Sequence, residues 1–518
     1  MIIMGQSQRR LVPQWRRFES DSASSEFAMP AGTNSKTADR GLDANFVKRL
    51  EHFRREPNLI SAAEVVESAM VLGRASDGEV IRAARIIFRD SNSAPLVRLH
   101  ATRLLNNAGD LNDQPNVALA LSRTSKLRER IRANPLDAIA WVDLALTQTC
   151  SGQFEPAKRS MRVALNIAPT NRLVLRSAAR LFFHFKDYEQ AYDLVRRSEM
   201  TRVDPWLMAA EVSLSAFAEK KPRFVKQGLQ LIESESLAPS QITELAGSIG
   251  TLMLVDDGGR IGRKLMRQSQ MAPTVNAIAQ ADWISLFVNS GVSLASADQR
   301  TSQKAWEALA LRAFSLEGEI AESIRYGKLW VDDEPYNPVA FASVAGAANV
   351  IEDFAIAREY SKRGLLSSRN DPRLLNAMSF AVASIGDLDG AEAYAAKVPE
   401  DGAHSLVATA NRGLIAMRRG DMAKGKDLYR DAIAGFRRLG AKEPEVSCLL
   451  YFSAELARAG DAVEGRKRLE EAKEQGKVPK RKYHDFLAKR VEGQIQALER
   501  SEPREAVKTT NAAIDQQR

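Results

Sequence analysis

At 518 residues the chain is longer than one hydrophobic core organises, because single cores stop growing at about 250–300 residues. Its 74 Lys and Arg outweigh 65 Asp and Glu for a net charge of +9, and 44% of its residues are apolar, which excludes both a polycation and a chain disordered throughout. Cys150 and Cys448 are far apart and have no neighbouring histidine, so neither a disulfide framework nor a structural zinc site can be built from them.

Residues 1–44 are polar and turn-prone, with Arg9, Arg10, Arg16 and Arg17 ahead of the first acid, Glu19; we expect a mobile arm. No apolar run of the length a secretory signal needs follows these arginines, and no window approaches a membrane span, so the expectation is a cytoplasmic chain with no membrane contact. From Phe46 onward, segments dense in Ala, Leu, Glu, Arg and Lys alternate with Gly-Asp, Asp-Pro and Asn-Pro punctuation. Helix formers separated by helix stoppers, with almost no period-2 alternation, predict an all-α protein. In chain order we expect a divergent helical cap at 45–134, a clear helix-hairpin pair at 135–205 and degenerate helical repeats at 206–304. Further repeats follow at 305–475, then a basic helix with a frayed tail at 476–518.

The spacing between 135 and 205 carries most of the information. Trp141, Leu144 and Ala145 share one helical face, and Ala157, Met161 and Ala164 share another after the turn Ser151-Gly152-Gln153. Leu175, Ala178, Ala179, Phe182, Tyr188, Ala191 and Val195 repeat the grammar, and Ala157 to Ala191 is 34 residues. These positions resemble the tetratricopeptide repeat, whose period is 34 residues. The phase returns between Ala357 and Ala391, again 34 residues, while Trp306, Ala310, Phe314 and Gly318 sit one or two residues out of it. The resemblance implies a helix-turn-helix repeat solenoid, a right-handed superhelix whose concave wall is lined by the first helix of each pair.

Chemistry finds little foothold. His52, His100, His184, His404 and His484 lack the i, i+4 pairing of a helical metal site, and no nucleophile elbow or phosphate loop occurs. We expect no catalytic residue, no metal and no cofactor. The glycines Gly247, Gly250, Gly258, Gly259 and Gly262 read as turns or a kink, and Asp256-Asp257, Asp332-Asp333 and Asp387/Asp389 read as helix caps.

The candidate surface residues are of two kinds. Arg176, Arg180 and His184, at i, i+4, i+8, form a cationic stripe on the concave wall suited to an acidic peptide or a terminal carboxylate, and Asn349, Asn376 and Asn411 are placed to hydrogen-bond a peptide backbone. Lys477, Lys480, Arg481, Lys482, Lys489 and Arg490, interleaved with Tyr483 and Phe486, suit an acidic surface or single-stranded nucleic acid. The reading is a non-catalytic scaffold that binds a peptide or protein on its concave face. The alternative is a nucleic-acid-binding accessory subunit working with a separately encoded effector such as a nuclease.

Overall fold

The computed structural model describes residues 46–515 apart from 73–77, 91–92, 94–96, 98–99, 102–103, 106–114, 235–236, 258–259, 288–294, 401 and 477–480. The N-terminal arm, Gly258, Gly259, Lys477 and Lys480 lie outside the described residues. No strand occurs among those described, and they divide into two compact units, 46–169 and 170–515.

In the first unit a helical segment at 46–55 leads into α1 (Leu59–Leu72), α2 (Gly78–Arg89), α3 (Pro115–Ala133), α4 (Ala138–Cys150) and α5 (Phe154–Ile167). Phe46, Phe53, Val65, Ile87 and Leu104 form one core, and Leu127, Ile131, Ala140 and Leu144 join α3 to α4. Asp137 starts α4 by accepting from the Ala140 amide at 3.0 Å while Arg130 Nε donates to its other oxygen at 2.7 Å.

The second unit is a succession of antiparallel hairpins. They are α6 (Arg172–His184) with α7 (Tyr188–Arg197), α8 (Pro205–Phe217) with α9 (Val225–Glu233), α10 (Pro239–Asp257) with α11 (Arg260–Ser269), and α12 (Val275–Phe287) with the short α13 (Ala297–Ser302). After them come α14 (Trp306–Arg312) with α15 (Ile320–Asp333), α16 (Pro338–Val350) with α17 (Phe354–Ser367), and α18 (Pro372–Ser384) with α19 (Leu388–Ala395). The last are α20 (Gly402–Arg418) with α21 (Met422–Arg438), α22 (Lys442–Arg458) with α23 (Ala462–Gln475), and α24 (Lys482–Asp515). Each first helix packs on the first helix of the next hairpin in an unbroken line from α6 to α24. This stacking covers the apolar face that a single hairpin leaves open, and it is the architecture of a helical repeat array. The interval 206–304 is therefore built of hairpins as well.

A recurring device closes most of these hairpins: small residues 12 positions apart let two backbones cross. Ala145 and Ala157, Ala179 and Ala191, and Ala345 and Ala357 are fully buried or nearly so. At Gly413/Gly425 and Gly250/Gly262 each glycine's missing Cβ would lie 2.9–3.2 Å from its partner's carbonyl oxygen. Gly250 and Gly262 are thus crossing residues inside α10 and α11 and not a kink. Elsewhere a serine serves: Ser379 Oγ donates to Ala391 O at 2.9 Å and Ser453 Oγ to Gly465 O at 2.6 Å. In the α14/α15 hairpin the corresponding pair, Ala310 and Ser323, is 13 apart and joined by a 2.9 Å bond. The added residue sits in a π turn over Ala313–Glu317, which accounts for the phase slip at Trp306–Gly318. Gly318 ends that turn at φ +76°, where a side chain would be strained.

Asp387 caps α19 as expected, accepting from Gly390 N at 2.9 Å. Asp332 and Asp333 fall in the last turn of α15, and the next helix is capped by Asn337, a correction to their reading as caps; burial raises the Asp332 carboxyl above its ordinary range, against the pull of Arg363. Asp256 and Asp257 likewise end α10.

Candidate interaction surface

The stripe on α6 is occupied by the chain itself. Arg176 donates to Glu244 Oε2 of α10 at 2.5 Å, and Asn276 of α12 donates to the other oxygen of the same carboxylate at 3.2 Å. Arg180, 6% exposed, donates through Nε to Tyr336 Oη at 3.0 Å and lies against the Tyr336 and Phe183 rings. Its guanidinium is 4.0 Å from the fully buried Glu334, which also accepts from Asn337 Nδ2 at 2.7 Å. His184 Nε2 meets Ser367 O at 2.9 Å, with its ring edge-on to Tyr336. An incoming anion would have to displace these partners and leave Glu334 buried without its cation, which is costly.

The asparagine ladder is also internal. Asn349 Nδ2 donates to Ala377 O at 3.1 Å, Asn376 Nδ2 to His404 O at 3.0 Å, and Asn411 Nδ2 to Asn376 O at 3.1 Å. The backbone that these amides bind is that of the neighbouring helix, and each bond pins one first helix to the next.

On α24 the basic cluster separates into two faces. Arg481 is buried, donating to Glu443 Oε2 at 3.1 Å, and Arg490 donates to Val350 O at 2.5 Å with Glu352 3.5 Å away. Tyr483 stacks on Phe314 of the π turn at 4.3 Å between centroids, and burial holds its hydroxyl well above the ordinary phenol range. The opposite face is solvent-exposed. Lys482, Phe486 and Lys489 follow one another at i, i+4, i+7, Phe486 is 40% exposed, and Lys489 has no carboxylate partner among the described residues.

Beside this helix lies a serine–histidine contact that the sequence does not reveal, since its members are 37 residues apart. His484 Nε2 is 2.9 Å from Ser447 Oγ, and Ser447 also donates to Glu443 O at 3.1 Å. The ring borders a cleft of about 240 Å³ lined by Val446, Leu450, Ala472, Lys473 and Ala488 among others. Burial, helped by the nearby Arg481 charge, pushes the His484 pKa down to about 4. His484 Nδ1 is buried with no hydrogen-bond partner, so no carboxylate orients the imidazole as a base, and the pKa is far below that of a working general base. The contact joins α22 to α24. Cys448, next to Ser447, is buried with its thiol raised by desolvation, the opposite of a reactive cysteine.

Among the described residues no helix is long and apolar enough to cross a membrane, and no group of three or more His, Cys, Asp or Glu side chains is placed to hold a metal ion. No family model matches the sequence, and no curated protein matches it. Solved structures similar in fold include two helical proteins. One is the APC/C hetero-tetramer Cut9-Hcn1, at 10% identity over 88% of this chain and 94% of that one with a TM-score of 0.37. The other is yeast Tom70, at 11% identity over 87% and 99% with a TM-score of 0.30.

Proposed function

We propose that this chain is a non-catalytic interaction scaffold for a protein or peptide partner with an acidic, partly apolar docking segment. The observation that carries the reading is the outer face of α24, where the exposed Phe486 lies in the helical register between Lys482, 3.9 Å from Asp485, and Lys489, on a helix anchored from behind by Arg481, Tyr483 and Arg490. A rigid aromatic anchor flanked by cations favours a partner that buries the ring and neutralises the charges. The stripe on α6 is engaged with Glu244, Tyr336 and Ser367, so the surface proposed for the partner is this outward one.

The test is affinity purification of the full chain from its native cell beside a Lys482→Glu/Phe486→Ala/Lys489→Glu variant. Proteins recovered with the native chain should fall about tenfold or more with the variant, while its circular dichroism and melting stay unchanged. Equal recovery would remove α24 from the proposal. The same face supports a second reading, single-stranded nucleic acid held by the ring and the two lysines. Under that reading affinity for a single-stranded RNA drops about tenfold between roughly 50 and 200 mM salt, and no retention at low salt dismisses it.

A further inference from the structure

A second charged site, absent from the sequence reading, lies where α7 ends. Arg196, Arg197, Arg202 and Arg223 converge with Ser198 and Glu199 on a cleft of about 300 Å³. Asp193 engages the first two, at 3.8 Å from Arg196 and 2.6 Å from Arg197. Arg202 and Arg223 have no carboxylate partner among the described residues, and Glu199 is the acid in the lining. Like charges so gathered repel one another unless an anion joins them.

The backbone that brings them together is fixed at several points. Thr201 Oγ1 donates to Val195 O at 2.6 Å and Gln227 Nε2 to Arg202 O at 2.7 Å, so the short turn after α7 is tied at both ends. On the other side the fully buried Glu211 accepts from the amides of Arg223 and Phe224 at 2.8 and 3.4 Å, while Tyr192 Oη donates to Lys221 O at 3.1 Å. A carboxylate is therefore spent inside the unit to hold the loop that presents Arg223. Between the two walls Ser198 Oγ is buried with no hydrogen-bond partner. Orphaned polar atoms of this kind are uncommon and call for an explanation, and Ser198 belongs to the lining that the arginines share.

We propose that this cleft binds a phosphate monoester dianion, with Arg202 and Arg223 as its bidentate partners and Ser198 donating a further hydrogen bond. Planar guanidinium forks match phosphate oxygens and strengthen with the ligand's second charge. The cations form a compact cleft and not a track along a groove, which suits one phosphate group better than a nucleic-acid backbone. Two sources share this chemistry, a small phosphorylated metabolite and a phosphorylated side chain of a partner. The second would add a modification-dependent contact to the scaffold reading, although the site does not depend on α24.

The experiment is calorimetric titration of the full chain with O-phosphoserine, with a neutral peptide carrying one phosphoserine, with the same peptide unphosphorylated, and with a single-stranded DNA oligomer. Saturable binding of phosphoserine and of the phosphopeptide, and none of the unphosphorylated peptide, is expected. Tighter binding of the peptide than of the amino acid identifies a protein source; equal binding identifies a small phosphate ester. Arg202→Ala/Arg223→Ala should weaken either by about tenfold or more, Ser198→Ala by less, and Glu199→Gln should strengthen it several-fold by removing the opposing charge. The two arginine side chains are solvent-exposed, so the fold should survive their loss, and an unchanged melting curve checks this. The Lys482→Glu/Lys489→Glu variant should bind phosphate normally, which separates this site from the proposed partner face. Absent binding, undiminished binding by the double arginine variant, or preference for the DNA oligomer overturns the proposal.

Discussion

Gly425→Ala is the most direct test of how the hairpins are held. A Cβ at this position would stand 2.9 Å from Gly413 O and 3.0 Å from Met417 N, besides meeting the Met417 side chain. Backbone atoms cannot swing aside, so α20 and α21 must move apart by a few tenths of an ångström, the kind of overpacking that costs about 1–3 kcal/mol. Alanine returns about 1 kcal/mol of helix propensity, leaving a net loss of about 0–2 kcal/mol. Gly493→Ala in α24 is the matched control: nothing lies within 4 Å of its Cβ, so it should stabilise by about 0.5–1 kcal/mol through propensity alone. Native-state hydrogen exchange reads both locally. Amides of α20 and α21 should exchange about tenfold faster in Gly425→Ala, since 1.4 kcal/mol is a factor of ten, whereas Gly493→Ala slows exchange in α24. Should Gly425→Ala slow exchange as its control does, the two backbones do not touch and the crossing argument fails for every hairpin.

Two other expectations follow from buried polar groups. His484 is held down at about 4 against an ordinary 6.5, so the folded state binds fewer protons than the unfolded one between those values and stability falls as pH drops through them, by about 3 kcal/mol at most. Urea midpoints measured from pH 7 to pH 5 should decline in the native chain and flatten in His484→Gln; hydrogen bonds from Lys426 hold Asp461 and Glu464 below the carboxyl range, so their loss of stability comes at lower pH and should persist. The second concerns the buried pair of Arg300 and Asp282, joined by bonds of 2.5 and 2.7 Å. Arg300→Met should cost about 3–5 kcal/mol by stripping the carboxylate of its cation, and Asp282→Leu/Arg300→Met should cost less than that single change. A double variant less stable than Arg300→Met would contradict this.

The hairpins were legible because their crossing residues are mostly alanines that recur at 34-residue steps, as Ala157 and Ala191 do. Where the crossing uses serine the signal weakens, since Ser379 and Ser453 look polar in sequence and act by giving their hydroxyls to the opposite helix. Glycine misled in another way: Gly250 sits in a cluster that suggests a kink, and only the helix pair shows it as a point of close approach to Gly262. The face shared by Arg176, Arg180 and His184 could be read from spacing, but not what opposes it, because Tyr336 is 156 residues distant from Arg180. The four arginines at the end of α7 are irregularly spaced and meet only through loops tied to Glu211 and Gln227. Periodicity reports a helix's buried face; it carries no information about which loop returns to it.

These long-range bonds alter what kind of array the second unit is. In a purely nearest-neighbour stack each hairpin leans on two others and opening can begin anywhere. Here Arg180 and His184 fasten the first hairpin to Tyr336 and Ser367, and Tyr483 and Arg490 fasten the last helix to Phe314 and Val350. Opening a middle hairpin therefore also breaks buried bonds to helices far away in sequence, which raises its cost above that of the local interface. The same bonds use up polar groups that would otherwise be offered to a peptide. Under the proposed scaffold role a partner would be recognised through side chains that these bonds leave exposed, among them Phe486 and Lys489 of α24 and Arg202 and Arg223 of the cleft beside α7.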